Sequence, residues 1–247
     1  MITPPFQSLA ENYATARSQY PDRIIARINE IINAHALPSS EPKLIVDLGC
    51  GTGISTRQLV GEKRKIIGVD LDIGMLEKAI EQSPDDIEFV CSDAVSFRLD
   101  QLADVVTMFA SMHWLADHAS MEAIRNLIDS TGIVIAINRL DVEFRSAIFK
   151  SIAGYDSGKH DDIKTTFSHR NAFEANGFKV VSSDSITGTE AFNEELLKEY
   201  VSSMSVYNFI DDANKPKAME AIATNLLDED GVCIRNVTFE ITVAALA

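Results

Sequence analysis

A predicted strand that ends in an acid and runs into three alternating glycines constrains this fold more than any other stretch. Residues 44–48 are apolar except for Asp47, and glycines follow at positions 49, 51 and 53. A short Ile/Val-rich run bounded by glycines is typical of a buried strand. The residues after Gly53 are compatible with a helix, so the glycines lie at a strand-to-helix turn, where they let the backbone approach a ligand closely. The pattern predicts an α/β fold with a ligand site at this turn.

The spacing of the glycines distinguishes two kinds of nucleotide site. The dinucleotide fingerprint is G-x-G-x-x-G, whereas here the glycines alternate as Gly49-x-Gly51-x-Gly53 and Asp47 precedes them. This arrangement resembles motif I of the class I S-adenosylmethionine-dependent methyltransferases, D-x-G-x-G-x-G. The resemblance implies that Asp47, Gly49, Cys50, Gly51 and Gly53 bind S-adenosylmethionine. A nicotinamide-dependent oxidoreductase with the same turn, or a non-catalytic cofactor-binding protein, stays an alternative.

A second apolar run, residues 65–69, also ends in an acid, Asp70. In doubly wound sheets an acid at the end of the second strand accepts hydrogen bonds from ribose hydroxyls. Asp70 is therefore predicted to bind the ribose, and Leu71 to lie against adenine. Asp72 is a good N-cap for a helix, and the segment that it opens resembles the GVDxSxxML segment of the family. Met75, in that segment, is a further predicted cofactor contact.

Two later segments extend the resemblance. Residues 87–94 resemble the xxGDA segment of the family, which implies that Asp93 binds the adenine amino group and that the Ala94 N–H meets the ring. Residues 111–117, SMHWLAD, resemble the SxHWxxD segment of small-molecule methyltransferases related to the trans-aconitate and ubiquinone/menaquinone enzymes. The predicted cofactor contacts just before this segment are Phe109 and Ala110.

The predicted acceptor residues begin with His113 and Trp114, which follow the fourth strand and point to the cleft between cofactor and acceptor. A general base is needed only if the acceptor arrives protonated. His113, His160 and His169 are the candidates, because imidazole titrates near neutral pH. Further acceptor contacts are predicted at Tyr20, Arg139, Tyr155 and Tyr207.

The segment before the first strand is predicted to be helical. Its pattern Tyr13-x-x-x-Arg17-x-x-Tyr20-Pro21 is similar to the YxxxRPxYP lead-in of the family, which implies a lid over the cofactor. Tyr13 and Arg17 would share a helical face, and Arg17 would meet the methionine carboxylate or an acidic acceptor. Asp22 is predicted to cap a second helix.

Further strands are predicted at residues 132–138, 177–183 and 234–246, which completes a sheet of seven. The predicted fold is α/β, a Rossmann-like, mostly parallel seven-stranded sheet with helices on both faces and a small helical cap. We predict a single domain over residues 1–247: a lid at 1–42, a cofactor-binding core at 43–138, and cap insertions at 139–170 and 189–230.

The composition narrows the possible partners. A formal net charge of −15 disfavours nucleic acid and anionic membranes, and no apolar run approaches the roughly 20 residues of a membrane span. No signal peptide is visible, and the three cysteines lack metal-site or disulfide spacing, so a cytoplasmic protein without a metal is expected. The predicted function is methyl transfer to an oxygen or nitrogen of a small molecule by a monomer or homodimer.

Overall fold

The computed structural model describes residues 19–35, 43–155, 167–204, 206–207 and 210–247. The predicted contacts Tyr13, Arg17 and His160 lie outside these residues. In chain order the elements are α1 (Asp22–Ala34), β1 (Lys43–Leu48), α2 (Ile54–Gln58), β2 (Arg64–Asp70), α3 (Ile73–Glu81), β3 (Ile87–Cys91), β4 (Ala103–Phe109), α4 (Met112–Leu115), α5 (His118–Leu127), β5 (Ile128–Leu140), α6 (Val142–Ile152), α7 (His169–Ala175), β6 (Phe178–Phe192), α8 (Glu194–Ser202), α9 (Lys215–Leu226) and β7 (Cys233–Leu246).

The seven strands form one sheet in the order β3-β2-β1-β4-β5-β7-β6. β1 runs parallel to β2 and β4, and the pairs β2–β3 and β4–β5 are also parallel. The inner strands β1 and β4 are buried along nearly their whole length, as expected for strands covered on both faces. This confirms the predicted Rossmann-like, mostly parallel fold. Because parallel strands end at the same edge, the turns after β1, β2, β3 and β4 lie side by side.

Two strands are longer than predicted. β5 begins at Ile128 instead of Gly132, and β6 continues to Phe192 instead of ending near residue 183. The interior of β6 alternates between half-buried and exposed residues, so its sequence is too polar to be recognised as a strand from apolar runs. The first residues of the predicted insertion 189–230 therefore belong to a strand.

The helix starts show one confirmed prediction and one correction. Asp72 caps α3, because its carboxylate accepts hydrogen bonds from the N–H groups of Gly74 and Met75. Asp22 does not cap α1: Pro21 is the N-cap residue, without a side-chain cap, and Asp22 is the first residue of the helix. An acid in the first turn is still favourable for the helix dipole.

The chain divides into two compact units, each described by itself. The glycine-turn unit comprises residues 19–35, 43–138, 167–186 and 239–247, and the Arg235 unit comprises residues 139–155, 187–204, 206–207 and 210–238. The first has a core built on the inner strands and α5, with Val46, Met108 and Ile124 fully buried. The second has its own apolar cluster from α6, α8 and α9, with Ile148 and Ile222 fully buried. The role of the second unit as a cap stays a prediction.

In the ranges that the structure describes, no helix has both the length and the apolar character required to cross a membrane.

Candidate active site

The glycine turn after β1 has the backbone geometry that only glycine adopts easily. Gly49, Gly51 and Gly53 have φ angles of 71°, 56° and 73°, in the left-handed region. The N–H groups of Gly49 and Cys50 donate to the Val69 carbonyl at 2.8 and 3.1 Å. These bonds hold the turn against the end of β2, beside Asp70.

The turn is packed on one side and open on the other. A Cβ at Gly49 would lie 2.5 Å from the Cβ of Ser111, whose hydroxyl donates to the Leu48 carbonyl at 2.6 Å. Among the residues that the structure describes, a Cβ at Gly51 would meet nothing within 4 Å. Close packing thus requires glycine at position 49, whereas position 51 borders open space. Position 51 therefore has room for a ligand that approaches the backbone closely.

Asp47 lies beneath the turn, fully buried. The Ser55 and Thr56 hydroxyls donate to its Oδ2 at 3.0 and 2.7 Å, and the Thr107 hydroxyl donates to Oδ1 at 2.8 Å. Thr107 is the β4 partner of Asp47 in the strand register, which explains this contact. Burial raises the pKa of Asp47 to about 6, although the three hydroxyls act to lower it. The carboxylate therefore joins β1, α2 and β4 beneath the turn.

Asp70 lies at the open edge and connects two turns. Its carboxylate accepts hydrogen bonds from Gly51 N–H at 2.8 Å and from Asp72 N–H at 2.9 Å. Burial raises its pKa, and these two N–H groups oppose that shift. A carboxylate has about four lone-pair sites, so two protein donors leave capacity for ribose hydroxyls. Leu71, beside it, is 50% exposed and offers an apolar surface, whereas Met75 is buried in the interior.

Asp93 follows β3, the neighbour of β2. Its carboxylate accepts a hydrogen bond from Ser96 N–H at 2.8 Å, and its bonds to Ser96 lower its pKa. Ala94 is buried, and Ser92 N–H donates to the Asp70 carbonyl at 3.0 Å. The structure thus brings the predicted ribose and adenine residues together at adjacent strand ends.

The end of β4 carries a strained residue. Ala110 has φ of 51°, although it is not a glycine, and its N–H donates to the Ile137 carbonyl at 2.8 Å. Such strain costs about 1–3 kcal/mol and is often found at functional sites. The neighbouring Phe109 packs edge-on against Tyr20 with ring centroids 4.9 Å apart. A predicted cofactor contact and a predicted acceptor contact therefore touch.

A row of aromatic rings begins in α4, after the end of β4. His113 lies 4.9 Å from Trp114 and 6.4 Å from Phe167 between ring centroids, and Phe167 lies 5.7 Å from His169. The row runs from Trp114, which is 45% exposed, to the buried His169. Burial lowers the pKa of His169 to about 4, so its imidazole is neutral at neutral pH. Sequence reasoning missed Phe167, because no motif marks it.

The remaining predicted acceptor residues belong to the Arg235 unit. Arg139 lies near the end of β5 and is half-buried. Tyr155 and Tyr207 are partly buried against the apolar cluster of this unit, and the Lys215 ammonium lies 4.8 Å from the Tyr207 ring centroid. Their role toward an acceptor stays a prediction.

Arg235, in β7, is the most unusual residue that sequence reasoning missed. Its side chain is 0% exposed, and its guanidinium donates to Asp141 at 3.1 Å and to Glu190. Its central carbon lies 4.5 Å from the ring centroid of Tyr200, and two phenylalanine rings also flank it. The signal was present in the sequence: β7 alternates, and position 235 shares the inward face with Cys233 and Val237.

Cys50, Cys91 and Cys233 are free thiols in the structure. Over the residues that the structure describes, no three His, Cys, Asp or Glu side chains are grouped so that they could hold a metal ion.

Residues 45–132 match the family described as methyltransferase domain. A Klebsiella pneumoniae (strain 342) protein named trans-aconitate 2-methyltransferase is 42% identical over 79 residues, which cover 31% of this chain and 31% of that protein. A protein of the same name from Escherichia coli O139:H28 is 32% identical over 113 residues, 45% of this chain and 41% of that protein. The matches thus span less than half the length of these relatives.

Solved structures show the same fold over nearly the whole chain. A putative type II methyltransferase from Anaeromyxobacter dehalogenans has a TM-score of 0.62 and 15% identity, covering 93% of this chain and 97% of its own. A SAM-dependent methyltransferase from Thiobacillus denitrificans, in complex with S-adenosyl-L-homocysteine, has a TM-score of 0.53 and 15% identity, covering 98% and 99%. At this identity the likeness supports the fold alone.

Proposed function

We propose that this chain, in which residues 45–132 match a methyltransferase domain, transfers a methyl group from S-adenosylmethionine to an oxygen or nitrogen of a small molecule. The observation that carries the proposal is the pairing of the open position at Gly51 with the Asp70 carboxylate, which accepts the Gly51 N–H at 2.8 Å. This hydrogen bond connects the turn that would approach the cofactor to the acid that would bind its ribose.

The order of the strands suggests how the cofactor lies. Along the sheet edge the order is β3, β2, β1 and β4, which places Asp93, Asp70, the glycine turn and Ala110 in a row. Adenine would lie at Asp93, ribose at Asp70 and the methionine end at the glycine turn, with the methyl group toward the end of β4. The bound cofactor supplies an activated methyl on its sulfonium. The protein then mainly aligns acceptor and methyl, which is worth about 7–11 kcal/mol.

The acceptor side is built from α4. Trp114 offers an exposed aromatic face, and His113 lies between it and Phe167. His113 would accept a proton if the acceptor arrives protonated, and would only contact the acceptor if it arrives ionised. His169, whose pKa lies at about 4, is neutral at working pH and would not produce a neutral-pH inflection in the rate.

Binding of S-adenosylhomocysteine, measured by calorimetry, tests the cofactor assignment. We expect Asp70→Ala to weaken binding about 10²-fold, since hydrogen bonds to a charged group contribute about 1.5–3 kcal/mol each. Asp86→Ala, in an exposed loop, is the control and should bind normally. Equal affinity in folded Asp70→Ala would remove Asp70 from the site. A rise in melting temperature with NAD, and none with S-adenosylhomocysteine, would favour an oxidoreductase instead.

A matched pair of variants tests the role of position 51. Gly51 and Gly231 have φ angles of 56° and 73°, and in the described part of the chain a Cβ on either would meet nothing within 4 Å. Gly51→Val and Gly231→Val therefore introduce similar backbone strain. We expect only Gly51→Val to abolish binding of S-adenosylhomocysteine. Similar losses in both variants would mean that strain, and not a blocked ligand, explains the effect.

Transfer itself is tested with S-adenosylmethionine labelled in its methyl group. Trans-aconitate is the first acceptor to try, because the relatives are named for it, followed by fractions of a metabolite extract. If His113 is a base, His113→Ala should lower kcat about 10²-fold and keep cofactor affinity, whereas His118→Ala, exposed beside Asn176, should change neither. Binding without any labelled product would identify a non-catalytic cofactor-binding protein.

A further inference from the structure

His169, the first residue of α7, has a buried ring nitrogen without a partner. The residue is 6% exposed, and in the part of the chain that the structure describes no group lies in hydrogen-bonding position to its Nδ1. An unpaired buried polar atom is unfavourable, and such atoms are rare in native proteins unless they have a functional reason. A phenylalanine would occupy the same place without an unpaired nitrogen, so packing alone does not account for a histidine.

The surroundings of His169 are aromatic. It is the inner end of the aromatic row formed by Trp114, His113, Phe167 and His169, and the outer end, Trp114, is 45% exposed. Phe167 lies between the two histidines and is itself only partly buried. Small-molecule sites are typically lined by apolar and aromatic side chains, with a few polar groups that fix the orientation of the ligand. The row offers flat apolar surface, and Nδ1 is a polar atom at its inner end.

The charge of His169 determines which ligand group fits this inner end. Burial lowers the pKa of His169 to about 4, so its imidazole has no positive charge at neutral pH with which to balance a carboxylate. An ionised group that is buried without an opposite charge is strongly unfavourable. The formal net charge of −15 also repels anions from the chain as a whole. A hydroxyl or N–H group of an uncharged molecule meets neither penalty.

We propose that the methyl acceptor is an uncharged aromatic compound whose ring lies along the aromatic row and whose hydroxyl or N–H group donates a hydrogen bond to Nδ1 of His169. The inference rests on the proposed function and narrows its acceptor to one chemical class. It assigns to His169 the binding of the acceptor and not the removal of a proton. Because solvent does not reach Nδ1, the ring of Phe167 must turn aside as the ligand enters.

Three probes that share one ring system separate the parts of this proposal. Naphthalene has the fused rings alone, naphthol adds an uncharged hydroxyl, and naphthoate adds a carboxylate at the same ring position. Calorimetry measures their affinities for the whole chain saturated with S-adenosylhomocysteine. We expect naphthol to bind about fivefold more tightly than naphthalene, because it gains one hydrogen bond. Naphthoate should bind about tenfold or more weakly than naphthol, because its charge finds no partner.

Variants of His169 connect the preference for naphthol to one nitrogen atom. In His169→Phe, naphthol should bind within about twofold of naphthalene. His169→Asn keeps a polar side chain close to the position of Nδ1 and should retain the preference. His118→Phe, at an exposed histidine that contacts Asn176, is the matched control and should behave like the wild type. The three variants should bind S-adenosylhomocysteine normally, which shows that they are folded.

Trp114 is the single tryptophan of the chain and reports where the ring of the probe lies. In protein labelled with fluorotryptophan it gives one fluorine NMR signal, which should shift when naphthol binds.

Four results would overturn the inference while the wild type still binds S-adenosylhomocysteine. The probes do not bind, naphthoate binds as tightly as naphthol, His169→Phe keeps the preference for naphthol, or naphthol binds without moving the Trp114 signal. Failure of the wild type to bind S-adenosylhomocysteine would instead refute the proposed function.

Discussion

Asp47 and Arg235 are both fully buried charged residues, and the two units of the chain accommodate them in opposite ways. Asp47 is surrounded by neutral donors, the hydroxyls of Ser55, Thr56 and Thr107. Arg235 is surrounded by two carboxylates and three aromatic rings. The three donors around Asp47 carry no charge, whereas the two carboxylates around Arg235 carry more negative charge than the arginine alone requires.

The difference follows from what each group can do with its proton. A buried carboxylate can take up a proton, and burial does raise the pKa of Asp47 to about 6. Arginine stays protonated in proteins. Burial alone would lower the pKa of Arg235, but Tyr200, Glu190 and Asp141 together raise it. The stability that the Arg235 cluster contributes therefore depends on its two carboxylates. The stability that the Asp47 cluster contributes depends on pH.

The largest loss of stability is expected when the Arg235 guanidinium is removed. Arg235→Met would leave the buried Asp141 carboxylate and the part-buried Glu190 carboxylate without their cation, so the free energy of unfolding should fall by about 3–5 kcal/mol. Urea denaturation followed by circular dichroism measures this. Arg170→Met, which breaks an exposed pair with Glu174, is the control and should cost less than about 1 kcal/mol. Equal losses in the two variants would mean that the buried charges are not coupled.

A combined variant sharpens this result. Arg235→Met together with Asp141→Asn and Glu190→Gln removes all three charges, and it should recover part of the stability that Arg235→Met loses. The same denaturation experiment shows the recovery. A combined variant less stable than Arg235→Met would show that hydrogen-bond geometry, rather than charge balance, holds this cluster.

A smaller loss of stability is expected when the Asp47 cluster is changed. Asp47→Ala would leave the hydroxyls of Ser55, Thr56 and Thr107 without their acceptor, so the free energy of unfolding should fall by about 2–3 kcal/mol. Ser55→Ala, which removes only one donor, is the matched control and should cost about 1 kcal/mol. A negligible loss in Asp47→Ala would mean that the hydroxyls find other acceptors.

The smallest effect is a pH dependence that only the Asp47 cluster should show. Its pKa in the fold, about 6, lies above the ordinary 3.8, so folding favours the protonated form and ionisation weakens it as pH rises through 6. Between pH 5.5 and 7.5 the wild type should lose about 1 kcal/mol relative to Asp47→Asn, which cannot ionise. Parallel pH profiles for the two proteins would contradict the raised pKa.

The sequence predicted the first of these clusters better than the second. The Asp47 motif and strands β1 to β4 were recognisable because buried parallel strands are continuous apolar runs and because glycine marks a positive φ. The ligand edge followed from the rule that parallel strands end together. The motif did not reveal that the Asp47 carboxylate accepts hydrogen bonds from three hydroxyls, because two of these come from α2 and the third from β4.

The parts that sequence reasoning missed depend on contacts between distant segments. Arg235 meets Asp141 and Glu190 across 94 and 45 residues of chain. From the sequence alone an arginine at an inward strand position is unexpected, because only the fold shows that the two acids lie beside it. The far half of β6 is half-exposed and polar, so its extended conformation reflects its place in the sheet more than its own composition.

The strand order has a consequence for how the chain assembles. β7 lies between β5 and β6, although it follows both in the chain. β6 therefore cannot reach its place in the sheet before the last strand has formed, and until then it remains an unpaired edge. Strands β1 to β4 lie beside one another or beside β5, so none of them depends on β7 for its place in the sheet. During synthesis, which runs from the N-terminus, the half of the sheet that carries the glycine turn can form while the other half still waits for β7.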